Sequence, residues 1–265
     1  MKRLSNWLTT NKKDEDGRCF KKQKEKAEKK TKGGWDFTRK ILGEDGKCWV
    51  DICDLLPEDM RITDGMFESL WSLHPREMGK IRFYGKVIET PRWQQSYGLS
   101  YKFSGLNHTG LPLTHPFLKM LSQRVYEHSG YPYEQCLVNS YQDGKHNIGW
   151  HSDDESQLAN PDLDPRIGIY SFSFGATRRF DLRAKNKNKE YDLQLQVRNN
   201  TCLFMGGHCQ RSFLHQVPKQ LKCTERRINV TFRLFKTSYK QFVALLDSLV
   251  FPLPPSYVHI IRAYI

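Results

Sequence analysis

Residues 227–235 read RINVTFRLF, and the alternation in that stretch decides how the rest of the chain is read. In an extended segment successive side chains point to opposite faces, so Arg227, Asn229, Thr231 and Arg233 share one face while Ile228, Val230 and Phe232 share the other. One face suits a core, and the other carries a guanidinium at each end. Six residues at about 3.3 Å each set the two arginine backbones about 20 Å apart, and inward-leaning side chains would leave a gap fit for a short dicarboxylate.

Working outward, the same short strand pattern recurs in IGIYSFSF (167–174), DLQLQV (192–197), CLFM (202–205) and RSFLHQV (211–217). Turn signals GATRR, KNKNK, RNN and GGH separate them. Upstream, HPFLKMLSQRVYEHSG (115–130) has helical spacing, with Phe117, Leu118, Leu121 and Val125 on one face, Pro116 in the first turn and Gly130 as the stop. Many short strands preceded by a helix predict an α+β, mainly β fold, a jelly roll or barrel with supporting helices on one side. Near the end, SYKQFVALLDSLVF (238–251) places Phe242, Leu245, Leu246 and Leu249 on one helical face, as a helix packed on the barrel would.

The chain has 265 residues and a net charge of +13, and residues 1–40 hold 14 basic and six acidic side chains. That leading segment reads as a solvated basic arm able to attract polyanions, or as a tail that only keeps the protein soluble. The expected organisation is an arm over 1–44, a folded domain over 45–236 and a helical extension over 237–265. Seven cysteines without a Cys-x-x-Cys pair argue against a disulfide framework and a structural zinc site. No apolar run approaches the roughly 20 residues of a membrane helix, and the N-terminus lacks an apolar signal core. A soluble intracellular monomer, in nucleus or cytoplasm, is expected.

The stretch HNIGWHSDDESQL (146–158) concentrates groups that bind metals. His151 and Asp153 are two apart and point the same way on an extended segment, and His215 on a later strand is the best third ligand. Two imidazoles and one carboxylate form the facial triad of non-heme iron(II) oxygenases, which leaves positions open for cosubstrate and oxygen. Just before, NSYQDG (139–144) puts Asn139 and Tyr141 on one strand face.

Taken together, NSY-x-DG (139–144), HNIG-WHSDDE (146–155), SFGATRRFDLR (173–183), HQVPK (215–219) and RINVTFR (227–233) resemble the AlkB family of iron(II)- and 2-oxoglutarate-dependent nucleic-acid dealkylases. The likeness runs over roughly residues 80–236 and implies a double-stranded β-helix (jelly roll). It assigns His151, Asp153 and His215 to Fe(II), and Asn139, Tyr141, Arg227, Asn229 and Arg233 to 2-oxoglutarate, with Thr231 between them on the same face. YKFSG (101–105) matches the wall of the lesion pocket, with Tyr101 and Phe103 as stacking residues and Ser104 beside them. Glu155 matches the residue that touches the exocyclic amino group of a flipped base, and Asp154 is expected to steady the ligands or orient the backbone.

The resemblance implies oxidative demethylation of bases such as 1-methyladenine and 3-methylcytosine in DNA, consuming O2 and 2-oxoglutarate and releasing formaldehyde and succinate. RNA demethylation by the same chemistry and a non-catalytic nucleic-acid-binding module are the alternatives. FYGK (83–86) matches the place where a duplex-acting homologue carries an aromatic wedge, here Tyr84, and RAKNKNK (183–189) the loop that grips the complementary strand, with Arg183 as the contact. The bland readings are a core or surface tyrosine and a solvated hairpin tip. WHSDDE and SFGATR are more like the homologue that prefers single strands and accepts RNA. Met1, Leu4, Trp7 and Leu8 have the spacing of a sliding-clamp-binding peptide, although Met1 and Leu8 depart from its pattern.

Overall fold

The computed structural model describes residues 29–32, 34–103 and 106–250. In chain order the first strands are β1 (Lys29–Lys32), β2 (Trp35–Ile41) and β3 (Cys48–Cys53), followed by helix α1 (Asp64–Trp71). Next come β4 (Lys80–Phe83), β5 (Lys86–Glu89), β6 (Trp93–Gly98), β7 (Tyr101–Phe103), β8 (Leu106–His108), β9 (Gly110–Leu111) and helix α2 (Pro116–Ser129). The second half holds β10 (Gln135–Tyr141), β11 (Ile148–His151), β12 (Gly168–Gly175), β13 (Arg178–Ala184), β14 (Leu193–Val197) and β15 (Thr201–Gly207). A short helix α3 (Cys209–Ser212), β16 (Phe213–Val217), β17 (Arg227–Arg233) and helix α4 (Lys236–Val250) complete it.

Two sheets form the jelly roll. The larger runs β1-β2-β3-β15-β12-β17-β10-β6-β9, and the smaller β11-β16-β13-β14. Between them lies an apolar layer to which the large sheet gives Val50, Ile169, Leu203 and Met205, and the small one Phe180, Leu182, Val197, Phe213 and Val217. The outer face of the large sheet buries Phe172, Phe174, Ile228, Val230 and Phe232 beneath Leu70 and Trp71 of α1 and Phe117, Leu118, Leu121 and Val125 of α2. The alternation in β17 thus separates two buried environments, the helix-covered core and the interior between the sheets.

Helix α2 follows its sequence signals, with Pro116 in its first turn and Gly130 at φ 75° capping its end. Glycine adopts this left-handed conformation without the Cβ clash that penalises other residues. Helix α4 packs Tyr239 and Phe242 against the outer core, and Phe242 meets Tyr126 and Tyr131 edge-on. Leu245, expected on the packed face, is instead 56 % exposed. The fold also begins before the expected boundary at residue 45. In WDFTRKI, Trp35 and Phe37 alternate with Asp36 and Thr38 and enter the main core, so β2 is an integral strand that the surrounding lysines hid from a compositional reading. The clamp-like spacing at Met1, Leu4, Trp7 and Leu8, together with Ser104, lies outside the described residues.

Candidate metal centre

Strand β11 ends on His151, and its cross-strand partner on β16 is His215. Their rings lie 4.1 Å apart, and Asp153 follows His151 by two residues, so one ligand atom from each of the three falls within 4.8 Å of the others. His151 Nδ1 lies 2.9 Å from the carbonyl of Gly149. A carbonyl only accepts, so Nδ1 carries the proton and Nε2 keeps its lone pair for a metal. The His215 ring stacks on Phe180 at 5.4 Å, which fixes its plane.

Asp153 is held from two sides. Its backbone N–H donates to Gln210 Oε1 at 3.0 Å, and its Oδ2 accepts from Arg233 Nη2 at 2.9 Å. The other oxygen, Oδ1, is buried and has no hydrogen-bond partner. Buried carboxylate oxygens are rarely left so, because each carries a desolvation penalty, and coordination to a cation removes it. Burial favours the protonated acid, but Arg233, His215 and His151 outweigh it and hold Asp153 at about 2. Burial, aided by neighbouring His151, pushes the His215 imidazole down to about 3, and burial lowers His151 against the opposing pull of Asp153. At neutral pH the three groups are deprotonated, the state a divalent cation requires.

Beside the triad, β17 and β10 pair with Asn139 opposite Asn229 and Tyr141 opposite Arg227. Arg227 donates from Nη2 to Ser173 Oγ at 2.9 Å and sits 5.0 Å from the Tyr141 ring, while its Nε and Nη1 are buried without hydrogen-bond partners. Arg233 Nε and Nη1 are in the same condition. Donors lacking acceptors at both ends of one face are what a dicarboxylate would satisfy. Asn229 Nδ2 donates to Ser171 Oγ and the Phe172 carbonyl, and Thr231 Oγ1 to Asn229 Oδ1, so the face between the arginines is braced. These groups and the triad line one small cavity of about 30 Å³.

The sequence reading missed Arg92. It is 3 % exposed, lines the same cavity and donates from Nε to Asn139 Oδ1 at 3.0 Å, with Gln94 Nε2 on the same oxygen at 3.3 Å. The signal was present as polar residues two apart, Arg92, Gln94 and Ser96, but such a face reads equally as a solvated one until β6 is known to lie beside β10.

The expected base contacts scatter. Tyr84 sits with Gly85 in a two-residue turn between β4 and β5 and is 91 % exposed, which excludes a core tyrosine. Tyr101 is fully buried against Phe235 and Leu158, with the Arg233 guanidinium 5.0 Å from its ring centre, so its ring forms part of the wall behind Asp153. Phe103 falls on β7. Glu155 lines an adjoining cavity of about 230 Å³, and burial, with Asp153 nearby, pushes its carboxyl up. Arg183 lies on the exposed side of β13 with its guanidinium 4.2 Å from the Trp150 ring centre. Lys185, from the same basic loop, is committed internally to Ser152, Asp154 and the Gln210 carbonyl, and through it Asp154 steadies the segment after His151.

The sequence pattern of the 2OG-Fe(II) oxygenase superfamily matches residues 68–233. Alpha-ketoglutarate-dependent dioxygenase alkB homolog 3 of Bos taurus is 33 % identical over 183 residues, which cover 66 % of this chain and 62 % of that protein. The human homolog 3 is 35 % identical over 155 residues, 56 % of this chain and 52 % of its own length. DNA oxidative demethylase ALKBH2 of Mus musculus is 36 % identical over 165 residues, 59 % of this chain and 66 % of its own. The chain therefore spans between half and two thirds of the length of these relatives.

Proposed function

Because the chain belongs to the 2OG-Fe(II) oxygenase superfamily and, within it, to the AlkB family, we propose that it is an iron(II)- and 2-oxoglutarate-dependent dioxygenase that demethylates ring nitrogens of alkylated DNA bases. The observation that carries the reading is Asp153 Oδ1, a buried carboxylate oxygen without a hydrogen-bond donor beside two neutral imidazoles. His151, Asp153 and His215 would hold the metal. Arg227 and Arg233 would take the two carboxylates of the cosubstrate, with Asn139, Tyr141, Asn229 and Thr231 lining its path.

When bound, iron(II), 2-oxoglutarate and O2 supply the oxidation of the N-methyl carbon, whose hydroxylated form breaks down to formaldehyde. The chain orders these components and holds the base. Arg233 keeps Asp153 ionised and oriented, and Phe180 and Gly149 fix the imidazole planes. Glu155 lines the cavity adjoining the triad, and a cationic methylated base would be drawn to its carboxylate, since Asp153 is already matched by Arg233 and the metal. Tyr84 at the hairpin tip and Arg183 over Trp150 present an aromatic and a cation to solvent, the groups that engage an opened duplex.

Formaldehyde release from 1-methyladenine in matched single-stranded DNA, duplex DNA and RNA tests the reading. Turnover that needs both Fe(II) and 2-oxoglutarate and favours DNA supports it. Preference for RNA would keep the chemistry and change the substrate. Asp153→Ala removes the one anionic ligand of the triad and is expected to abolish formaldehyde release while the fold persists, and turnover within a few-fold of the parent would show the ligands misassigned.

A further inference from the structure

Arg178 is fully buried, yet its hydrogen bonds go to no carboxylate. Its Nη1 donates to the Asp143 carbonyl at 3.0 Å, and its Nη2 to the carbonyls of His146 and Pro218, both at 2.8 Å. Nε donates to Gln220 Oε1 at 3.3 Å, and Tyr141 lies against the guanidinium at 5.8 Å. A buried cation matched only by neutral oxygens is costly to desolvate, so what it joins is informative.

It joins the two loops that flank the ligand strands. Asp143 and His146 lead into β11, which ends on His151, and Pro218 directly follows β16, which carries His215. The ladder between these strands is sparse, since Ile148 pairs with Val217 and His151 with His215 but the register is broken between them. Two pairs across an irregularity leave the strand spacing under-determined, and a rigid guanidinium fork bonded to both loops supplies the missing constraint. The junction is also closed by backbone. Gln220 N–H donates to the Gly144 carbonyl at 2.8 Å, and a Cβ on Gly144 would lie 1.8 Å from the Gln220 carbonyl oxygen, so the loops approach as closely as a glycine permits.

We propose that Arg178 is a positioning residue for the metal centre, a clamp that sets the separation of His151 and His215 without touching metal or substrate. This rests on the reading of His151, Asp153 and His215 as ligands. Loss of a group that orients metal ligands typically weakens metal binding on the order of tenfold to a hundredfold.

The test is Mn(II) affinity of the full chain, followed by loss of the free-ion electron paramagnetic resonance signal, for the parent, Arg178→Met and Arg178→Lys, with far-ultraviolet circular dichroism and Tm beside it. Arg178→Met is expected to bind Mn(II) at least about tenfold more weakly with an unchanged secondary-structure spectrum. Arg178→Lys, which keeps the charge but not the fork, should recover part of the loss. A lower Tm with Mn(II) affinity within twofold of the parent would make Arg178 a stabilising residue only and overturn the clamp. Should Arg178→Met fail to fold, Arg178→Lys decides, and parental affinity in that variant overturns the proposal. A parent that binds no Mn(II) overturns the metal centre and the clamp with it, whereas a binding parent with an indifferent Arg178→Lys overturns the clamp alone.

Discussion

Burial with help from His151 takes the His215 imidazole from 6.5 down to about 3, and this makes the metal-free protein sensitive to acid. Between these values the unfolded chain binds a proton at this position and the folded one does not. The neutral form's contribution to stability is therefore complete above about 6.5 and is lost as pH falls toward 3. Asp153, held at about 2 against an ordinary 3.8, acts in the same direction at lower pH. After chelation, Tm should fall between pH 7.5 and 5 more steeply in the parent than in His215→Gln. Equal slopes would place the acid sensitivity elsewhere. The triad was legible in sequence because ligand chemistry restricts residue type at each position. Arg92 was not, because nothing local distinguishes a buried polar strand face from a solvated one. Tyr101 was read as a stacking residue, yet its burial is set by Phe235 and Arg233, more than a hundred positions away.

Among the elements, the β4–β5 hairpin stands apart from both large sheets as a two-stranded ribbon, with every residue of β5 exposed. Its turn has Tyr84 at φ 46° and Gly85 at φ 78°, the pair of positive values that distinguishes the type I′ hairpin turn from type II′. Asn or Gly usually fills the first position, and another residue there costs on the order of 1–2 kcal/mol, so an exposed tyrosine is an expensive way to make this turn. Extracting a base from a duplex costs a few kcal/mol, and a ring that fills the space left behind offsets part of it. Tyr84→Ala should lose roughly tenfold to more than a hundredfold in kcat/KM on methylated duplex DNA, with little change on the same lesion in a single strand. Equal losses on both, measured beside Tm, would remove Tyr84 from the interface. The hairpin could be aligned with a family position from sequence, but its exposure could not be read there, since KIRF has the alternation of any half-buried strand and the adjacent Val87 and Ile88 of KVIE suggest burial rather than exposure.

At the scale of the molecule, the strands read from their sequence pattern, β12 and β14 to β17, contribute to both sheets. The structure adds β13, which begins at Arg178 inside the expected turn GATRR, as well as β3 and β6 and the marginal β1 and β2. Trp35 and Phe37 close one side of the outer core against Tyr170, Phe172 and His128. A chain beginning at residue 45 would lose β1, β2 and both rings, and removing a buried aromatic typically costs about 3–5 kcal/mol. Such a truncation should melt many degrees below a chain beginning at residue 29 or aggregate through the bared edge of β3, and matched Tm values would show β2 to be dispensable.

The sheet order carries one more consequence. Strand β17, the last strand among the described residues, lies inside the nine-stranded sheet between β12 and β10, with β15 beyond the one and β6 beyond the other. Until residues 227–233 leave the ribosome, the two halves of that sheet have no shared strand and each shows an open edge. Contacts so distant in sequence form slowly, and open edges invite pairing with other chains. Synthesis of this protein should therefore pass through a late, adhesive stage that ends when its arginine-bearing strand is inserted, and the same insertion completes both the nine-stranded sheet and the arginine-lined cavity beside the triad.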